Sequence, residues 1–435
     1  VPDHAVSADP AVQRQLDRLT MLSPGRDVLG LERITALLAR FGNPQLRLPP
    51  VLHVAGTNGK GSTCAFLRAA IEAAGMSVHV YTSPHLVRFN ERIRIAGSLI
   101  SDEELAPLLA EILDHSADIS PSFFEATTAA AFLAFSQVPA DACIVEVGLG
   151  GRLDATNVIP HPAACGIAQL GIDHQSFLGD RIEDIAAEKA GIARAGVPLV
   201  TMRYPKPLAD RIAASATAAG ADWLPRGDVW DAAIYNDHLH YRDAEGRLTT
   251  SLPRLPGEHQ AMNAALAIAM LRHQSQITIA EAALRAATGW ADWPARLQQL
   301  GDGPLRRLLP DDVELWLDGG HNPAAAEAIA GHFASRRPLR MIVGLLQNKD
   351  LPGFLAPFRD IASSLHAVPI PGHDHHSPAE IVEAAASLGI ESTAADSVES
   401  ALRQLGIEDD RSPVLIGGSL YLAGTVLAAN GTPPE

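Results

Sequence analysis

Seven residues, Gly56-Thr57-Asn58-Gly59-Lys60-Gly61-Ser62, carry the densest chemical signal in the chain. They follow a β-type run at 51–55 and precede a helical face of Phe66, Leu67, Ala70, Ile71 and Ala74, which Gly75 would end. A strand, a glycine-rich turn and a helix start surround a phosphate with backbone N–H groups and a positive helix end. Lys60 would neutralise that phosphate, and Ser62 or Thr63 would approach a magnesium ion. The spacing departs from Gly-x-x-x-x-Gly-Lys-Ser/Thr, because Val54 stands at the first glycine position and Gly61 separates Lys60 from Ser62. The alternative is a glycine-rich strand-to-helix turn with an incidental lysine.

Other candidate strand ends bring further groups. Glu146 closes the run CIVEV just before Gly148-Leu149-Gly150-Gly151, Asp173-His174 follows an apolar run at 164–170, and Thr82-Ser83-Pro84-His85 follows one at 78–82. Carboxylate, hydroxyl and a single imidazole suit magnesium or manganese arriving with nucleotide phosphates, and no cysteine pair points to zinc. Taken alone, Glu146 also reads as a solvated strand end. Lys189 lies on the apolar helical stripe Ile182, Ile185, Ala186 and Ile192, so its ammonium points inward. Such a lysine snorkels, pairs with a carboxylate, or, as a neutral amine, reacts with carbon dioxide to give a carbamate that ligates metal through oxygen.

The elements that must position these groups alternate. Strands at 51–55, 78–82, 143–147, 164–170 and 197–201 with helices between them predict a parallel, doubly wound α/β sheet whose ligands gather at the strands' carboxyl ends. A second α/β series runs through 313–317, a helix at 324–335, 340–345 and 414–417. Between the series, 289–303 is rich in Gly, Pro and Trp, with a hinge expected at 294–298. The expected domains are 1–295 and a smaller 296–435.

Composition sets the outer bounds. A chain of 435 residues exceeds one ordinary core, and 47% hydrophobic with 19% charged residues excludes long disorder. A net charge of −16 without a Lys/Arg cluster argues against nucleic acid and anionic membranes. The N-terminus has neither the basic start nor the apolar stretch of a signal peptide, and no apolar run reaches the roughly 20 residues of a membrane span. Cys64, Cys143 and Cys165 are odd in number and unpaired in spacing, so a reducing cytoplasm is the expected compartment; the protein is also expected to be soluble and monomeric.

Eleven ordered stretches carry a family resemblance, among them LGLERI at 29–34, VAGTNGKGS at 54–62, YTSPHLVRFNERIRI at 81–95, FFEATT at 123–128, EVGLGGRLDATN at 146–157, EKAGI at 188–192, HQAMNAA at 259–265, WPARLQ at 293–298, DGGHNP at 318–323 and GGSLYLAG at 417–424. Over almost its whole length the chain resembles the bacterial folylpolyglutamate synthase and dihydrofolate synthase enzymes of the Mur ligase superfamily. The resemblance implies an N-terminal P-loop ATPase domain and a C-terminal Rossmann-like domain with the active site in the cleft between them. It further implies that Ser83, Glu146 and His174 bind magnesium at two sites with Lys189 carbamylated, a monovalent cation being a further candidate. By the same carry-over Asn263, Arg296 and Asp318 contact ATP, and His321 lies near the nucleotide and the incoming glutamate. Leu29 and Gly30 through Arg33, with Phe124 and Arg152 to Asp154, would border the pterin or folate, and Ser419 would serve substrate. Gly320 and Ala295 depart from the family's usual alanine and glycine at those positions.

The implied reaction activates a carboxylate with ATP. An acyl phosphate then meets the amine of L-glutamate, on dihydropteroate and on reduced folates alike, with domain closure keeping water out. The competing readings are polyglutamylation only, another Mur-type ligase, and a nucleotide-gated binding protein. The pocket that separates the bifunctional enzyme from polyglutamylation only is expected in the loops at 26–33 and 118–128. The run His373-Asp374-His375-His376 reads as a polar loop ahead of a helix capped by Ser377-Pro378, and Trp290 and Trp293 read as packing residues.

Overall fold

The structure, a computed structural model, describes residues 5–22, 29–336, 338–405 and 411–435. The chain divides into two compact units, one of Val1–Arg254 with Glu258–Asp292 and one of Leu255–Gly257 with Trp293–Glu435.

In the first unit the strands are β1 (Val51–Ala55), β2 (Val78–Tyr81), β3 (Ile93–Ile95), β4 (Ser98–Leu99), β5 (Ala142–Glu146), β6 (Ala164–Ile167), β7 (Pro198–Thr201) and β8 (Asp222–Pro225). They form one sheet in the order β4-β3-β2-β5-β1-β6-β7-β8. The pairs from β2 through β8 are parallel, and β3 and β4 add an antiparallel edge. β1, β2, β5 and β6 are buried at every position, which is why they read as mostly apolar runs, interrupted by His53, His79 and Glu146. The connection that leaves β1 runs past β5 to β2, and the one that leaves β5 runs back past β1 to β6, so the winding reverses beside β1. Its carboxyl end is therefore the crevice where such a sheet accepts ligands. The register sets Val54 beside Glu146 and Ala55 beside Ile167, so Gly56 leaves the sheet next to the end of β5.

A three-stranded antiparallel sheet, β9 (Asp231–Tyr235), β10 (His238–Asp243) and β11 (Gly246–Ser251), was not expected from the strand pattern. Asn236 and Asp237, both left-handed at φ 48° and 57°, make its first two-residue turn. The Asp243 carboxylate, fully buried, holds this sheet to the helix Glu258–Arg272 through two hydrogen bonds of 2.8 Å from Arg272.

The second unit contains β12 (Gln298–Gln299), β13 (Leu315–Leu317), β14 (Leu339–Val343), β15 (Ala362–Ala367), β16 (Glu391–Ala394) and β17 (Val414–Gly417), in the order β12-β13-β17-β14-β15-β16. All but β12 are parallel. The helix Pro378–Ser387 starts with a Ser377/Glu380 capping box and proline in its first turn, as its sequence requires. Among the described residues no helix is long and apolar enough to cross a membrane.

Candidate active site

The helix Lys60–Ala73 follows β1 through a turn that only glycine fits at two points. Gly56 has φ 154°, and a Cβ on it would lie 2.9 Å from the Ala168 Cβ. Gly59 has φ 82°, and a Cβ there would lie 2.5 Å from Asn263 Oδ1, so the bare glycine lets the helix Glu258–Arg272 bring that carboxamide onto the loop. The Thr57 and Asn58 N–H groups donate to Gln169 O at 2.8 and 3.1 Å, and Thr57 Oγ1 donates to Gly171 O at 2.9 Å. These bonds tie the loop to the segment that follows β6.

Ser62 and Thr63 differ. Thr63 Oγ1 donates to Gly59 O at 2.8 Å. Ser62 Oγ is buried and makes no hydrogen bond among the described residues. A buried hydroxyl at a helix start with no protein partner fits a bound phosphate–cation pair, and Ser62 is the better placed of the two.

Two lysines converge on one carbonyl. Lys60 Nζ donates to Gly56 O at 3.1 Å and to Thr57 O at 3.3 Å, while Lys189 Nζ donates to the same Gly56 O at 2.9 Å. Lys189 is 4% exposed. Burial, reinforced by the charge of Lys60 and opposed by Asp173 and Asp154, pushes its amine down to about 7. Near neutral pH a large share of that amine is therefore unprotonated and nucleophilic.

The turn after β5 seats Lys189. Arg152 N donates to Glu188 O at 2.8 Å, and the Arg152 guanidinium pairs with Glu188 at 2.8 Å. A Cβ on Gly151 would fall 2.7 Å from Glu188 O and 2.9 Å from Lys189 O, both backbone atoms of the helix Ile182–Ala190. Gly151→Ala is expected to cost about 1–3 kcal/mol, because backbone must move to admit the methyl. Thermal denaturation checks it, and an unchanged melting temperature would refute the close seating.

Glu146 is buried, and its Oε2 accepts from Ser83 N at 3.1 Å, so these two expected ligands do meet. His174 is exposed, in the left-handed conformation at φ 53°, and its N–H is bonded by Asp173 Oδ1 at 2.8 Å. Among the described residues no group of three or more His, Cys, Asp and Glu gathers around a metal position. The expected set has only two such residues, Glu146 and His174, beside a serine and a lysine. Buried carboxylate and hydroxyl oxygens fit a hard divalent cation.

Asp154 turns inward. It is 2% exposed and accepts from Leu149 N at 2.8 Å, from Thr156 N at 3.0 Å and from Thr156 Oγ1 at 2.5 Å, anchoring the Gly148–Gly151 turn. Arg152 is exposed. Phe124 packs against Gly148, where a Cβ would meet its ring at 2.4 Å. Arg33 Nε donates to the buried Glu125 Oε2 at 2.9 Å, which joins the segments of Leu29, Gly30 and Phe124. Residues 26–28 of the expected specificity loop lie outside the described residues.

In the second unit the Asp318 carboxylate is likewise buried and wired to backbone, with Leu297 N at 2.7 Å and Gly320 N at 2.6 Å. His321 Nδ1 donates to Gly319 O at 3.0 Å, and Arg296 NH1 donates to Ala295 O at 2.9 Å. A Cβ on Gly319 would lie 3.0 Å from Arg296 NH1, so Arg296, Asp318 and His321 share one turn. Ser419 caps the helix Leu420–Ala429, accepting from Tyr421 N at 3.1 Å. In the histidine-rich loop His376 Nε2 bonds Lys349 O, His375 Nδ1 bonds His373 O, and His373 stacks on Tyr421 at 3.9 Å, which is the polar loop the sequence suggests. Trp290, expected to pack, is 62% exposed.

Sequence reasoning assigned no role to Glu125, whose buried carboxylate also caps its helix by accepting from Ser122 N. The Ser-x-x-Glu capping pattern was the available signal.

Residues 304–429 match the family model "Dihydrofolate synthetase, C-terminal domain". The chain is 34% identical over 403 residues to the dihydrofolate synthase/folylpolyglutamate synthase of Escherichia coli K12, covering 92% of this chain and 90% of that one. It is 33% identical over 413 residues to the folylpolyglutamate synthase of Lacticaseibacillus casei, covering 91% and 92%. Among solved structures it is similar to E. coli FolC in complex with DHPP and ADP, with TM-score 0.87, 32% identity and 97% of each chain covered. It is also similar to a bifunctional folylpolyglutamate synthase/dihydrofolate synthase with Mn, AMPPNP and L-glutamate bound, with TM-score 0.85, 33% identity and 97% and 99% covered.

Proposed function

The chain belongs to the folylpolyglutamate synthase/dihydrofolate synthase family, and we infer from that membership and from the site that it is an ATP-dependent, amide-forming ligase. It joins L-glutamate to dihydropteroate and adds γ-linked glutamates to reduced folates, using ATP and a divalent cation. The observation that carries this reading is the convergence of Lys60 and Lys189 on Gly56 O beside a glycine-opened phosphate loop. A plain nucleotide switch has no use for a second, deprotonatable lysine there.

The substrate carboxylate attacks the γ-phosphate and ADP leaves, while Lys60 with the loop N–H groups stabilises the charge on the transferring phosphoryl group. The amine of glutamate then attacks the acyl phosphate, and phosphate leaves as the amide forms. Bound at Ser62, Ser83, Glu146 and His174, a divalent ion would supply Lewis-acid charge to the phosphate oxygens. For Lys189 we propose carbamylation: its neutral amine adds to carbon dioxide, loses a proton and becomes an oxygen ligand. The support is an amine pushed down to about 7 in a buried site. Asn263, beside Gly59, and Arg296 and Asp318 are proposed to serve ATP, with His321 near glutamate. Phe124, Leu29 and Gly30 are proposed to border the folate. For Asp154 and Ser419 the hydrogen bonds support positioning of the turn and of the helix start instead.

We assign the phosphate-loop and folate functions to residues 1–295 and the proposed functions of Arg296, Asp318 and His321 to 296–435. A cytoplasmic location is proposed on the three buried, unpaired cysteines. Phosphate release measured with dihydropteroate and separately with tetrahydrofolate, each with glutamate, is expected to be positive in both. Turnover with tetrahydrofolate alone would leave polyglutamylation only.

A further inference from the structure

We propose that Gln298 is a positioning residue for Arg296, acting by holding Ala295 in the left-handed backbone conformation. Ala295 and Leu297 flank Arg296, both are fully buried, and both are left-handed, at φ 55° and 44°. Neither carries a polar side chain that could offset the clash between Cβ and carbonyl which disfavours this region for L-residues. Such residues persist only where their surroundings over-determine them.

The surroundings do so on both sides of Arg296. Leu297 N donates to the buried Asp318 Oδ2 at 2.7 Å. Ala295 O accepts from Gly319 N at 2.9 Å, and Ala295 N donates to Gln298 Oε1 at 2.9 Å. Backbone and Asp318 thus hold two of these points, and one neutral side chain holds the third. The same Ala295 carbonyl accepts from Arg296 NH1, so the peptide that Gln298 pins also aims the guanidinium along Gly319. Losing the carboxamide frees Ala295 to relax to negative φ, which rotates that carbonyl and releases Arg296.

The functional consequence rests on the reading that Arg296 serves ATP. With the full-length enzyme, ATP, magnesium, glutamate and a reduced folate, Gln298→Leu is expected to lower kcat/KM for ATP about tenfold. Gln298→Glu, which keeps an acceptor oxygen, retains most activity. Adding Ala295→Gly to Gln298→Leu restores kcat/KM to within about threefold of wild type, since glycine takes φ > 0 readily. In an Arg296→Ala background Gln298→Leu has no further effect. Full activity of Gln298→Leu beside a crippled Arg296→Ala, failure of Ala295→Gly to rescue, or multiplying losses would each overturn the proposal. Should Arg296→Ala itself be fully active, the reading of Arg296 falls instead. A crystal structure of Gln298→Leu then decides the latch: a negative φ at residue 295 supports it, and a retained positive φ overturns it.

Discussion

Lys189→Met is expected to yield a protein that is more stable near neutral pH and about 1000-fold or more slower in turnover. Both effects come from one placement. The amine is buried, shares Gly56 O with Lys60, and titrates near 7 instead of 10.5. Below pH 7 the native state carries the ammonium at its full cost. Between pH 7 and 10.5 the unfolded chain keeps a proton that the native state has released, so native stability rises with pH at up to about 1.4 kcal/mol per unit. Above 10.5 both states are neutral and the cost is gone. Methionine fills similar volume without charge, so the metal-free variant should gain on the order of 2–4 kcal/mol at pH 7 and lose that pH slope. Denaturant midpoints at pH 6.5, 8 and 9.5 in carbonate-free buffer test it; parallel curves for the two proteins would remove the basis for a neutral Lys189.

The same placement explains how much of this site the amino-acid pattern could carry. Parallel strands buried on both faces read as mostly apolar runs, so β1, β5 and β6 and the groups at their ends were legible. The strands β9 to β11 were not, because they are half-exposed and spell polar residues such as Arg242, Asp243 and Arg247. Lys189 was legible as an inward lysine by its place on a helical stripe. Its meeting with Lys60 at Gly56 was not, since that contact spans 133 residues of sequence.

Carboxylates are read less completely. Asp154 and Asp318 sit in turns that look ligand-facing, and in the structure both are buried with backbone N–H groups on their oxygens. A sequence shows the residue type and leaves open whether ligand or main chain claims its oxygens. Gln298 offers no pattern at all, because the need for it arises from the left-handed φ of Ala295.

Lys60→Met is the complementary test, because Lys60 has two roles in this arrangement. Its direct role in the proposed mechanism is to stabilise phosphoryl charge, and losing it should lower kcat about 1000-fold. Its second role is electrostatic: after burial, the Lys60 charge is the largest influence holding the Lys189 amine down. Removing it raises the Lys189 pKa from about 7 back toward, though not to, the ordinary lysine value, because burial still opposes the charged form. At pH 7.5 the neutral fraction of Lys189 then falls, and with it the carbamate that only a neutral amine can form. Carbon-13 NMR of the two proteins equilibrated with labelled carbon dioxide at pH 7.5 should show a Lys189 carbamate signal in the wild type and a weaker one in Lys60→Met, with Lys189→Met as the blank. Equal signals would mean that Lys60 does not govern the Lys189 proton, and the convergence on Gly56 would then be contact without coupling.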